Sequence, residues 1–98
     1  MATRTLTTSA EEILPRNRLR RSWIIQNEDS AIAMFLKREN PGTTGVSSID
    51  HDHRIAAGGS IAISDFTDGK EQVQDRWTIV AASGTPRVSF FETEDIVR

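Results

Sequence analysis

Residues 22–27, Ser22-Trp23-Ile24-Ile25-Gln26-Asn27, are an apolar run that closes on a polar Gln-Asn pair. A Pro-containing, arginine-rich segment, Ile13-Leu14-Pro15-Arg16-Asn17-Arg18-Leu19-Arg20-Arg21, leads into it. So short a run, bounded by turn chemistry, reads as a buried strand with Trp23 and Ile25 on one face and Ile24 on the other. The same kind of unit returns as Trp77-Thr78-Ile79-Val80-Ala81-Ala82, ahead of the turn Ser83-Gly84-Thr85-Pro86. Short β-rich runs separated by turns point to a small sandwich that attaches to something, not to an enzyme.

Other runs repeat the pattern. Thr3, Thr5 and Thr7 alternate with Arg4, Leu6 and Thr8, so residues 1–10 are expected to be an extended N-terminal arm. Residues 11–98 then form a single β-sandwich domain. Residues 11–14 read as extended, because Pro15 pushes the residue before it out of the helical region. Residues 31–37 place Ile32, Met34 and Leu36 on one face and Phe35 opposite. With the tight turn Glu28-Asp29-Ser30 before them, they are expected to form a hairpin with residues 22–27. Asn40-Pro41-Gly42-Thr43-Thr44-Gly45 is a loop by composition. Residues 53–57 and 60–64 read as strands on either side of Gly58-Gly59, and residues 65–74 as a polar stretch with a tight turn at Asp68-Gly69.

Residues 77–82 and 87–94 are expected to make a second hairpin, with Val88 and Phe90 on one face and Phe91 on the other. The acidic end, Glu92-Thr93-Glu94-Asp95, is expected to be solvated. About seven or eight short strands at this spacing indicate an all-β chain folded as an antiparallel β-sandwich, Greek-key or jelly-roll-like. The expected core is Trp23, Ile25, Ile32, Met34, Ile61, Ile63, Ile79, Val88 and Phe90, with Trp77 also read as interior.

With 98 residues and 37% apolar content, the chain has little to spare for a thick core, which makes oligomerisation an expected source of stability. A net charge of −2 argues against nucleic acid as a partner. The halves differ: residues 1–49 carry seven basic and five acidic side chains, residues 50–98 five and nine. The absence of cysteine removes disulfides and thiolate metal sites. The polar start, Met1-Ala2-Thr3-Arg4-Thr5, does not read as a signal peptide, and no apolar stretch approaches a membrane span, so no membrane partner is expected.

Asp50-His51-Asp52-His53 puts two imidazoles on one face of an extended chain and two carboxylates on the other. Two ligands do not make a structural metal site, so no metal and no cofactor are expected. Asp65-Phe66-Thr67-Asp68-Gly69 has the wrong spacing for a calcium loop. No serine sits in a nucleophile-elbow context, and no catalytic residue is assigned. Arg16, Arg18, Arg20 and Arg21 form a basic cluster beside Trp23 that is open to three readings: a protein interface, phosphate contacts, or a solvated turn. Ile24, Phe35 and Phe91 fall opposite the larger apolar faces, so either another chain or a loop covers some of them, or they are ordinary scattered apolar residues of the surface. The expected interface set is therefore Arg16, Arg18, Arg20, Arg21, Ile24, Phe35 and Phe91.

Ile13-Leu14-Pro15-x-Asn17-x-x-Arg20-Arg21-Ser22-x-Ile24-Ile25-Gln26-Asn27, then Ala57-Gly58-Gly59-Ser60, then Trp77-x-Ile79-x-Ala81-x-Ser83-Gly84-Thr85-x-x-Val88, resembles small β-rich structural proteins of tailed bacteriophages. The resemblance spans residues 10–36 and 56–91. It implies a non-enzymatic virion component, a capsid decoration (cement) protein made in the host cytoplasm and carried on the capsid surface. Its partners would be the major capsid protein and itself, as a homotrimer on three-fold lattice positions. The alternative is a carbohydrate- or receptor-binding β-sandwich of a phage fibre or tail, in which an exposed Trp23 or Trp77 would stack on sugar.

Overall fold

In the computed structural model, residues 2–40 and 42–94 are described. Eight strands run in the order β1 (Ala2–Thr5), β2 (Glu11–Leu14), β3 (Arg20–Asn27), β4 (Met34–Arg38), β5 (His53–Ile55), β6 (Ser60–Ser64), β7 (Trp77–Ala81) and β8 (Arg87–Glu94). Two short helices, α1 (Asp65–Asp68) and α2 (Lys70–Gln74), stand between β6 and β7. Gly69, at φ 87°, separates them; an L side chain would be strained there.

The strands form two four-stranded antiparallel sheets, β1-β8-β3-β6 and β2-β7-β4-β5. The pairing is nested. The β4–β5 hairpin is innermost, then β3 pairs with β6, β2 with β7, and β1 with β8. This is a long hairpin rolled into a sandwich, the jelly-roll order. The fold expected from the alternation is therefore present, and β6 and β8 begin and end where the sequence places them.

The two expected hairpins are not. β3 and β4 lie in different sheets, as do β7 and β8. Each connection crosses the sandwich instead of turning back within a sheet. Asn27 shows why at the first crossing. Its side-chain nitrogen donates towards the carbonyls of Ile32, Ile55 and Ala56 at 2.7, 3.2 and 3.2 Å, and its Oδ1 accepts from the Asp29 amide at 3.0 Å. Asp29 in turn accepts from the amides of Ala31 and Ile32. Buried at 2% exposure, Asn27 satisfies backbone groups that a crossing would otherwise leave unpaired.

The core lies between the sheets. Trp23, Ile25, Met34, Ile63, Ile79, Val88 and Trp77 are buried as expected, while Ile61 and Phe90 pack against the core partly exposed. Ile32 is only half-buried, because it sits in the crossing and not in a strand. Leu6, Ile13, Leu14, Leu36, Ile55, Val73 and Ala81 complete the interior. The first residues are extended, as expected, but they are not a free arm. β1 pairs with β8 from Ala2 opposite Phe90 to Thr5 opposite Arg87, and Leu6 is fully buried. Burying a leucine contributes about 1.5–3 kcal/mol, which anchors the segment to its own domain.

Phe35 leaves the expected interface set, because a loop, one of the two covers expected, buries it. It is 7% exposed, packed with Val80 and Val46 on the outer face of β2-β7-β4-β5, and the His51 ring lies 4.7 Å away. The loop between β4 and β5 covers it, so it is not available as an interface residue. Glu92, Thr93 and Glu94 belong to β8 and are partly or fully exposed; Asp95 lies outside the described residues.

Candidate interaction surface

The four clustered arginines are dispersed by the fold. Arg20 is fully buried. A bulge between Arg20 and Ser22 shifts the register, turning inward a side chain that strict alternation would place outside with Ser22 and Ile24. Its Nε meets Glu92 at 2.6 Å, Nη1 donates to the carbonyls of Val73 and Asp75, and Nη2 donates to that of Pro15. Arg20 is thus a strut between β8, α2 and the β2–β3 connection, and it is removed from the interface set. Arg21 is exposed and lies 3.4 Å from Asp65. Arg16 and Arg18 are exposed on the connection.

Ile24 and Phe91 are direct cross-strand partners on the outer face of β1-β8-β3-β6, with Ala62 on the other side of Ile24. Phe91 is 50% exposed and Ile24 half-buried, and the Ser22 and Thr93 hydroxyls bond at 2.6 Å two residues along. Of the expected apolar residues, this pair alone remains at the surface. Among the described residues, sequence reasoning missed three others, of which Leu19 is 43% exposed. Ile49 and Phe66 are each 95% exposed. Each stands alone among polar residues, Ser47-Ser48-Ile49-Asp50 and Asp65-Phe66-Thr67-Asp68, and such isolation within a turn is the signal that would have found them.

The Asp50–His53 side chains go to four places. Asp50 bonds the Lys37 ammonium at 2.6 Å, and this bond is the main cause that raises the lysine above its ordinary 10.5. Asp52 accepts from the Arg38 amide, His51 contacts the Ser47 carbonyl at 3.0 Å, and the His53 ring lies 5.6 Å from Trp77. Among the described residues, no group of three or more His, Cys, Asp or Glu is placed to hold a metal ion. The Asp65–Gly69 segment becomes α1, where Asp68 accepts from the Ser64 amide at 3.1 Å and from the Thr67 hydroxyl at 2.8 Å. Those bonds hold the Asp68 carboxyl below its ordinary 3.8.

At the end of the sandwich where the β2–β3, β4–β5 and β6–β7 connections meet, a cleft of about 260 Å³ is lined by Arg16, Arg38, Glu39, Asn40, Asp75 and Arg76. Among the described residues, no helix is long and apolar enough to cross a membrane. Set against known protein families, curated proteins and solved structures, the chain finds no significant match.

Proposed function

We propose that this chain is a non-enzymatic structural protein that binds the outside of a tailed-phage capsid and reinforces it as a decoration, or cement, protein. The observation that carries this reading is the placement of large apolar side chains in water. Ile49 and Phe66 are 95% exposed and Phe91 50%, on the β4–β5 loop, on α1 and on the outer face of β8. These side chains add nothing to the core, and each stabilises by about 25 cal/mol per Å² once a neighbour covers it. A module that touches several neighbours in a lattice gains from such modest contacts because they act together. The resemblance of the 10–36 and 56–91 segments to phage structural proteins supports the same reading.

In this reading Ile24 and Phe91 form the self-contact of a homotrimer, while Arg16, Arg18, Ile49 and Phe66 meet the major capsid protein. Jelly rolls serve both capsid and lectin domains, so the fold decides nothing between decoration protein and fibre or tail module. The tryptophans bear on that choice. At 2% and 0% exposure, Trp23 and Trp77 have no free face to stack on a sugar, which supports the decoration reading.

The test is to add purified protein to capsid shells lacking it and to follow co-sedimentation and shell melting. Saturable binding at a fixed ratio to capsid subunits, with a raised melting temperature, is the expected result. A monomer that leaves shells unbound and unstabilised would end the decoration reading and favour the fibre module.

A further inference from the structure

We propose that the cleft between Arg16, Arg38 and Arg76 is a binding site for a carboxylate group. The inference does not depend on the decoration reading.

The site is held firmly. The Asn17 amide donates to the Gln74 carbonyl at 2.9 Å, and the Glu39 amide to the Arg76 carbonyl at 3.1 Å, so three connections are tied together around it. Arg76 is 7% exposed. Its Nε pairs with Glu12, and its Nη1 donates to the carbonyls of Asn40 and Thr43 at 2.9 and 2.6 Å. Among the described residues, its Nη2 has no hydrogen-bond partner. That nitrogen is not sealed in the interior either, because Ser89 Oγ is the one buried, unpartnered side-chain polar atom among the described residues. Arg76 Nη2 is therefore within reach of solvent, and Arg76 lines the cleft.

Two more guanidinium groups add donors. Arg38 spends only its Nε, on Asp75 at 3.5 Å, and Arg16 is exposed and without a partner among the described residues. The carboxylates in the wall are already engaged. Glu39 accepts from the Gly45 amide at 2.6 Å and from the Thr78 hydroxyl, and Asp75 takes Arg38. The cleft thus presents more unused N–H donors, on Arg16, Arg38 and Arg76, than unused acceptors. Guanidinium forks bind planar oxyanions through paired hydrogen bonds. The formal charge nearby is balanced, with Glu12, Glu39 and Asp75 against Arg16, Arg38 and Arg76. A singly charged carboxylate suits that balance better than a dianionic phosphate.

Acetate and inorganic phosphate, each titrated at constant ionic strength against chloride, test the site by amide chemical shifts of the whole chain. Acetate is expected to give saturable shifts at Asn40, Asp75 and Arg76. Arg16→Ser, at an exposed position, is expected to weaken binding about tenfold, as loss of a charge-assisted contact does. Arg38→Gln should act in the same direction, and Arg87→Ser, on β8 at the opposite end of the sandwich, should leave it unchanged. Shifts no larger than those from chloride, or equal affinity in wild type and Arg16→Ser, would overturn the site. Phosphate binding more tightly than acetate would overturn the assignment to a carboxylate.

Discussion

Trp23 and Trp77 meet edge-to-face across the sandwich, with ring centroids 5.1 Å apart at 60°, and both indole N–H groups point at the Gln72 carbonyl. The bond from Trp77 is 2.8 Å and that from Trp23 a weaker 3.4 Å. β3 and β7 belong to opposite sheets and Gln72 to α2, so a single acceptor joins three elements. Trp77→Phe keeps an aromatic ring but removes the donor, and is expected to cost about 1–2 kcal/mol. Trp77→Ala is expected to cost about 3–5 kcal/mol. Urea unfolding measures both; equal stability of Trp77→Phe and wild type would show that the shared carbonyl contributes nothing.

Leu6 is the test of whether the first strand belongs to the domain. Leu6→Ala is expected to cost about 2–5 kcal/mol, a core penalty, because the side chain is fully buried. Removing residues 1–6 should then lower the melting temperature of the isolated protein. A truncated chain that melts like wild type would mean that the segment is dispensable for folding.

Arg20→Ala strands the Glu92 carboxylate and frees three carbonyls, and is expected to cost about 3–5 kcal/mol. Glu92→Gln should cost less, since the Glu92 side chain is one-third exposed and water can replace part of the pair. Denaturant midpoints in the reverse order would contradict the strut described for Arg20.

Phe91→Asp adds charge to the outer face without touching the core. It is expected to leave the melting temperature within a few degrees of wild type while weakening self-association, read by sedimentation velocity. A variant that assembles as wild type does would move the self-contact away from the Ile24–Phe91 pair.

Asp68 gives a signed dependence on acid. Its folded pKa lies below the ordinary 3.8, because the Ser64 amide and then the Thr67 hydroxyl bond the charged form. A depressed carboxyl stabilises above the unfolded pKa and loses that contribution as pH falls through the folded value. Wild type should therefore melt above Asp68→Asn at neutral pH, and the gap should close below about pH 4. A gap that is constant with pH would assign the effect to something other than ionisation.

Strands were legible wherever alternation was strong, as in Ser60–Ser64 and Arg87–Glu94. Their partners were not. Glu28-Asp29-Ser30 and Ser83-Gly84-Thr85-Pro86 announce a change of direction, but composition does not say whether the chain turns within a sheet or crosses to the other. The burial of Arg20 was hidden because a bulge inverts the parity on which face assignments rest. Phe35 looked uncovered because its cover, the aperiodic loop that carries Val46, leaves no pattern to read. The cleft at Arg16 escaped for a related reason: Arg38 and Arg76 lie far from it in sequence and meet it only after three connections converge.

The nested pairing also sets an order of events in the life of the chain. The innermost ladder joins neighbouring strands and can close as soon as His53–Ile55 has been made. Each later ladder closes a longer loop. The outermost joins Ala2–Thr5 to Arg87–Glu94, so the earliest made of these eight strands must wait for the latest before it finds its partner. Until then Leu6 has no β8 beside it, and the newborn domain exposes one edge of its sheet throughout synthesis.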